Sequence, residues 1–220
     1  MTIYDQLLQF PLFIGMSRAD LMEVVTHTKF DFLKAESSKR MVKEGDNCTH
    51  LYFLTHGTLE CESQSDDHMY RVVETVNAPY VIQPERLFGL SQRYTSTFKT
   101  SSACNFIILD KQEVMLLLDT QLVFRLNMLN LLAAESHRLK QRMWQSAPQT
   151  LRDRIVRFFF SHCLYPAGTK TFYILMDQLG LLLNDSRLDI SRALNQMQRD
   201  GLITLHRGRI EIPMLERLLM

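Results

Sequence analysis

Between Ser186 and Arg199 the side chains capable of chemistry share one stripe of a single helix. Arg187, Ser191, Arg192, Asn195 and Arg199 recur at helical spacing, and every one carries a hydrogen-bond donor. Donors in such a row suit an extended polyanion. Guanidinium groups match phosphate oxygens or the O6/N7 edge of guanine, while Ser and Asn reach phosphates. Leu188 stands among them and can press only on an apolar group such as a thymine methyl. The opposite stripe, Ile190, Ala193, Leu194 and Met197, is expected to face a core. Ser186 suits the N-cap, with Asp189 three residues on as a shortened capping box.

The flanking elements must hold that helix against its target. Met176 to Leu183 reads as a short preceding helix with Leu179, Leu182 and Leu183 inward, broken by Asn184-Asp185. Asp200-Gly201 ends the donor-bearing helix. Leu202 to Ile212 then alternates around His206-Arg207-Gly208-Arg209, a small hairpin with Arg207 and Arg209 at a basic tip. Together these spell a winged helix-turn-helix suited to duplex DNA. A winged helix that contacts protein instead is the alternative. Three arginines on one face, with Asp189 only at its edge, favour nucleic acid, because solvated faces mix both signs.

Composition narrows the rest. A chain of 220 residues, 46% hydrophobic, supports one large or two modest domains. No run approaches ~18 uninterrupted apolar residues, and the first twenty residues lack a signal-peptide layout. Cys48, Cys61, Cys104 and Cys163 show no paired spacing, which argues for buried thiols in a cytoplasmic protein and against a metal or iron–sulfur motif. The net charge of +1 hides an asymmetry: residues 149–220 hold 10 Lys/Arg against 7 Asp/Glu, and residues 1–148 hold 15 against 17. The bias is small, so affinity must come from where arginines stand. No Ser/His/Asp set or phosphate-gripping Gly loop appears, and the histidines are scattered, so neither an enzyme nor a cofactor is expected.

Residues 1–31 read as a helical lead, with Ser17-Arg18-Ala19-Asp20 as a helix start. From Phe32 to Asp110 short apolar runs alternate with Gly, Asn, Asp and Ser, the texture of a β-barrel or roll. A long helical pattern fills Lys111 to Trp144. Met115, Leu118, Leu122, Arg125, Leu129, Leu132, Ser136, Leu139 and Met143 step by three and four, as in a coiled-coil seam. Leu117, Phe124, Leu126 and Leu131 lie off it and are expected against the roll. A seam of ~50 Å is hard to bury inside so small a domain, which points to a homodimer. Ser146-Ala147-Pro148 reads as a hinge, and Thr150 to His162 as another helix with Leu151, Ile155, Phe158 and Phe159 inward.

Over nearly its full length the chain resembles the Crp–Fnr family of bacterial transcription regulators. One motif is Lys43-Glu44-Gly45-Asp46 with Leu51-Tyr52-Phe53-Leu54-Thr55-His56-Gly57-Thr58-Leu59, similar to the family's first roll strands and their turn glycines. The other is Asp185-Ser186-Arg187-Leu188-Asp189-Ile190-Ser191-Arg192-Ala193-Leu194, similar to the family's recognition helix. The resemblance implies an α+β fold: an N-terminal double-stranded β-helix (jelly-roll-like) sensor domain at 1–110, a long dimerisation helix at 111–145, and a winged helix-turn-helix at 149–220. It implies double-stranded DNA with an imperfect palindrome, a second copy of the chain, RNA polymerase and a small-molecule effector as partners.

Two departures shape these expectations. Cyclic-nucleotide-binding members cradle the ribose and cyclic phosphate with a Gly-Glu pair and an Arg-Ser or Arg-Thr pair. In the corresponding segment, Val81 to Thr95, Gln83-Pro84 replaces the former and Tyr94 stands in place of the phosphate-binding arginine. Proline removes an N–H that could face a phosphate, and the charge-assisted partner is gone. Cyclic AMP is therefore not the expected effector. The pocket implied by resemblance comprises Glu85, Arg86, Leu87, Phe88, Arg93, Tyr94 and Thr95. In the recognition helix, the family's Arg, Glu and Arg become Arg187, Leu188 and Arg192, which removes the acceptor that favours cytosine.

Overall fold

Capping chemistry opens the lead helices. Thr2 and Ser17 each accept an N–H from an aspartate three residues on, and that aspartate answers the cap's own N–H. The helices so started are α1 (Ile3–Leu7) and α2 (Arg18–His27). The structure is a computed structural model that describes residues 2–144, 146 and 148–219, without the side chains of Arg142 and Met143. Ala147, at the centre of the expected hinge, lies outside the described residues.

Eight strands follow: β1 (Asp31–Ala35), β2 (Arg40–Val42), β3 (His50–His56), β4 (Thr58–Gln64), β5 (Arg71–Asn77), β6 (Tyr80–Val81), β7 (Thr97–Thr100) and β8 (Cys104–Asp110). One antiparallel sheet runs β1-β8-β3-β6, and β2-β7-β4 lie side by side in another. Leu51, Phe53 and Leu54 of β3, Phe106, Ile107 and Leu109 of β8, and Phe98 of β7 are buried. Gly57 joins β3 to β4 at φ +98°, where an added Cβ would lie 2.5 Å from the Ala103 carbonyl oxygen. No other residue fits there without moving backbone.

The long helix expected at 111–145 is two helices. α3 (Lys111–Thr120) and α4 (Leu122–Met143) meet at 113° across an extended Gln121. Packing explains the break. Val114 and Leu117 of α3 are buried, as are Phe124 and Met128 of α4, and the Phe124 ring lies 5.2 Å from that of Phe13 in the lead. The three-and-four stepping continues across Gln121, so periodicity alone hides the bend. Met115 and Leu118 consequently belong to a different helix from the rest of the seam. Leu126, expected against the roll, is half exposed. Met143 lies outside the described side chains.

The chain divides into two compact units. The first comprises Met1–Leu59 and Val76–Trp144, the second Glu60–Thr75 and Gln145–Met220. Residues 60–75, which the strand pattern alone assigns to the sensor domain, therefore group with the winged helix. The second unit contains α5 (Leu151–Ser161), β9 (Lys170–Tyr173), α6 (Met176–Leu183), α7 (Arg187–Arg199), β10 (Thr204–His206) and β11 (Arg209–Ile212). Its strands lie in the order β10-β11-β9-β5-β4. Its core joins Val72 to Ile155, Phe159, Phe172, Leu179, Ile190, Leu194, Ile210 and Ile212. No single described helix is long and apolar enough to cross a membrane.

Candidate nucleic-acid interface

The turn between α6 and α7 is built by small backbone decisions. Asn184 takes the left-handed conformation at φ +52° and ends α6, and the Asp185 N–H bonds the Gly180 carbonyl at 2.9 Å. A Cβ on Gly180 would sit 2.8 Å from the Asp185 carbonyl oxygen, so glycine lets the turn close. An Arg154–Asp185 ion pair ties α5 to the turn. Ser186 then caps α7, accepting the Asp189 N–H at 3.1 Å and donating its hydroxyl to the Asp189 carboxylate at 2.6 Å. Inward, Ile190, Leu194 and Met197 are buried and Ala193 half-buried, whereas Leu182 of α6, expected inside, is 40% exposed. Leu179 is buried below α6, and Met176 and Leu183 pack partly buried against the same core, while Leu182 falls outside that apolar stripe.

α7 thus presents Arg187, Leu188, Arg192, Asn195 and Arg199 to solvent, with Ser191 half-buried between them. Leu188 is 59% exposed. The wing is the β10–β11 hairpin, with Arg207-Gly208 as its two-residue turn and Gly208 at φ +70°. The Gly208 carbonyl accepts the Ile174 N–H at 3.1 Å, which fixes the wing tip beside the start of α6. Arg187 and Arg207 thereby line one notch of about 350 Å³, with Asp177 and His206.

Three of the five interface arginines are held by carboxylates. Arg187 Nε lies 3.5 Å from Asp177, Arg192 Nη1 3.3 Å from Asp189, and Arg209 Nη2 3.0 Å from Glu211, which also meets His206 Nε2 at 3.4 Å. Arg199 bonds the Gln196 side-chain oxygen, and Asn195 donates to the Ser191 carbonyl at 2.7 Å. Such exposed pairs are worth ~0–1 kcal/mol, so a phosphate or guanine edge displaces the carboxylate at little cost. Asp177 and Glu211 escaped the sequence reading. Only Asp189–Arg192, three apart on one helix, carries a local signal.

The residues of the implied effector pocket have different surroundings. Leu87 and Tyr94 are buried, Arg93 is exposed and donates to the Gly45 carbonyl at 2.7 Å, and Phe88 lies under Lys111 at 5.3 Å. The Tyr94 hydroxyl donates to the His50 carbonyl at 3.0 Å, and burial pushes its phenol far above the ordinary range. Gln83, at φ +37° and 3% exposed, bonds Thr95 twice: its Nε2 donates to Oγ1 at 2.7 Å and its Oε1 accepts the N–H at 3.0 Å. Glu85, beside Arg86 at 3.7 Å, lines a separate cavity of about 500 Å³ with Asn127, Asn130, Glu135 and Arg138. Burial pushes its carboxyl up.

Residues 153–220 match the family model described as the Crp-like helix-turn-helix domain. The whole chain is similar in fold to the catabolite activator protein of Thermus thermophilus, at 17% identity over 96% of each chain and a TM-score of 0.54. The chain is also similar in fold to the sensor domain of the transcriptional regulator DNR from Pseudomonas aeruginosa, at 18% identity, with 67% of this chain and 95% of that one covered and a TM-score of 0.52. A third solved structure, the N-terminal domain of a transcriptional regulator from Streptomyces coelicolor, aligns at 18% identity over 66% of this chain and all of that one, with a TM-score of 0.53. No curated protein matches the chain. The α+β architecture, an antiparallel sensor roll followed by a helix of 22 residues and the helix-turn-helix, is that of the Crp-like fold.

Proposed function

We propose that the chain is a homodimeric, sequence-specific DNA-binding regulator of transcription. The carrying observation is the exposed face of α7 beside the wing, where Arg187 and Arg207 share one notch and Arg187, Arg192 and Arg209 are each held by a carboxylate they can give up. Arg187 and Arg192 contact bases, with guanine O6/N7 as their natural partner. Ser186, Ser191, Asn195, Arg199, Arg207 and Arg209 set the register on phosphates. Leu188 leaves the base pair it faces loosely read or biased towards a thymine methyl.

Two copies place two such helices about one helical turn, ~34 Å, apart on an imperfect palindrome. Leu122, Leu129 and Leu139 of α4, each more than half exposed in a single chain, support pairing through that helix. RNA polymerase is the partner through which bound protein would act, and an effector other than cyclic AMP would bias it. Against cyclic AMP stands Gln83, which spends its amide on Thr95 and leaves no cation for a cyclic phosphate.

Selection of bound sequences from a random duplex pool, followed by salt titration, tests the reading. Arg192→Ala is expected to cost ~1–3 kcal/mol on the selected site and to flatten one base pair, whereas Arg209→Ala weakens all sequences alike and lowers the salt slope by roughly one phosphate. Equal loss on selected and random DNA with Arg192→Ala defeats the base-contact assignment. Millimolar cyclic AMP is expected to leave the melting temperature unchanged, where a ligand at ~100 times its dissociation constant adds ~2.7 kcal/mol.

A further inference from the structure

Glu74 and Lys170 form an ion pair at the centre of the second unit, each side chain only 1% exposed. Lys170 Nζ lies 2.9 Å from Glu74 Oε1 and, among the described residues, has no hydrogen-bond partner beyond that contact. The same carboxylate accepts the backbone N–H of Leu164 at 2.8 Å and of Tyr165 at 3.3 Å. One side chain of the β4–β5 hairpin therefore closes three groups of the winged-helix unit: the ammonium on β9 and two amides of the loop after α5. Around it the hairpin is docked along its length. β5 pairs with β9 from Arg71↔Tyr173 to Glu74↔Lys170, the Arg71 guanidinium lies 4.1 Å over the Tyr173 ring, and Val72 enters the core. Tyr70 meets the rings of Phe158 at 5.3 Å and His162 at 5.1 Å.

This docking is all-or-none in its chemistry. Withdrawal of the hairpin would leave a buried ammonium without its counter-charge, so partial separation is costly. Both strands of the hairpin continue by chain connection into the first unit, at Leu59–Glu60 and Thr75–Val76. Together with the crossing at Trp144–Gln145, the chain passes between the units three times.

We infer that residues 60–75 are a strap that latches the winged helix through Glu74 and Lys170, and that the latch fixes the winged helix for two-site DNA reading. This rests on the dimeric DNA-binding reading above. A palindrome engages both recognition helices at a set spacing, so added freedom lowers two-site binding and leaves binding to one half-site unaffected.

The test uses the full-length protein with Lys170→Met, which leaves Glu74 buried without its cation. Amide exchange is expected to speed up at 71–74, 164–165 and 170–173 while α7 keeps its protection. The ratio of palindrome to single-half-site affinity is expected to fall about tenfold or more, with dimerisation unchanged by sedimentation. Glu74→Gln/Lys170→Met buries no charge and keeps an acceptor for Leu164, so it is expected to restore both readouts. If the single variant does not fold, Glu74→Ala/Lys170→Met takes its place: it buries no charge and removes the acceptor that Glu74 offers Leu164 and Tyr165. The affinity ratio is then expected to fall and the exchange at 71–74 to speed up, and an unchanged ratio in this folded double variant overturns the inference. An unchanged or raised ratio in folded, dimeric Lys170→Met overturns it too, as does exchange that speeds up uniformly over the second unit. If the wild type itself fails to prefer a palindrome, the DNA reading falls, and the local exchange pattern still decides whether the latch exists.

Discussion

Gln83 and Arg192 both stand at the centre of a surface where a Crp-like protein could bind something, and their conditions are opposite. Gln83 is 3% exposed, its amide committed in both directions to Thr95, with Tyr94 buried beside the same segment and bonded to His50. Arg192 has a side chain 70% exposed and pairs with Asp189 at 3.3 Å. Freeing Gln83 exposes a buried network with no replacement partner, while freeing Arg192 forfeits a pair that water already weakens. On the proposed reading, the free energy of an incoming anion would be gained at the winged helix and lost at the roll cassette. An exposed, loosely neutralised donor row is the better sign of a polyanion site than a buried segment whose polar groups bond one another.

The most forceful way to break this comparison is to remove the second copy. Leu129→Asp with Leu132→Asp puts two charges per chain into the proposed seam, at a cost of several kcal/mol. Sedimentation is expected to show monomers and gel shifts to show lost palindrome binding, while the roll keeps its melting behaviour. A persistent dimer would move the interface elsewhere.

A smaller effect sharpens the contrast directly. Gln83→Leu strips the Thr95 N–H of its acceptor and is expected to cost ~1–3 kcal/mol of stability in denaturant unfolding. Arg192→Ala is expected to stay within about 0.5 kcal/mol of wild type in the same measurement, although it impairs DNA binding. Equal losses would mean that α7 carries structure as well as recognition.

The smallest effect is one of pH. Burial holds the Glu85 carboxyl above its ordinary value, so its charged form is penalised in the folded state. That penalty is absent below the unfolded carboxylate range and present once pH exceeds the folded value. Glu85→Gln, neutral throughout, is expected to raise the melting temperature near neutral pH by about 1 °C and to change nothing near pH ~4. A gain at acid pH instead would reverse the sign.

What was legible in the sequence was whatever local periodicity and caps control. Ser17, Thr150 and Ser186 announce helices because the cap and its acceptor lie three residues apart, and the alternation in β3 and β8 gives the roll. The α3–α4 bend was invisible, because the same three-and-four rhythm serves two helices that follow different surfaces. The Arg187–Asp177 pair needs two helices brought together, which no spacing shows. Lys170 was hidden for a related reason. A lysine beginning Lys-Thr-Phe-Tyr reads as solvent-facing until Glu74, 96 residues earlier, is seen beside it.

That separation also orders events in time. β5 leaves the ribosome about a hundred residues before its partner β9. At ~5–20 residues per second, one edge of a strand pair ending at Glu74 waits roughly 5–20 s with a carboxylate and no cation to bury it against. A charge on an unpaired edge discourages the wrong neighbour from docking there, as edge lysines do in mature sheets. The glutamate that closes the finished unit therefore also guards the unfinished chain, and synthesis slowed between β5 and β9 lengthens that guard.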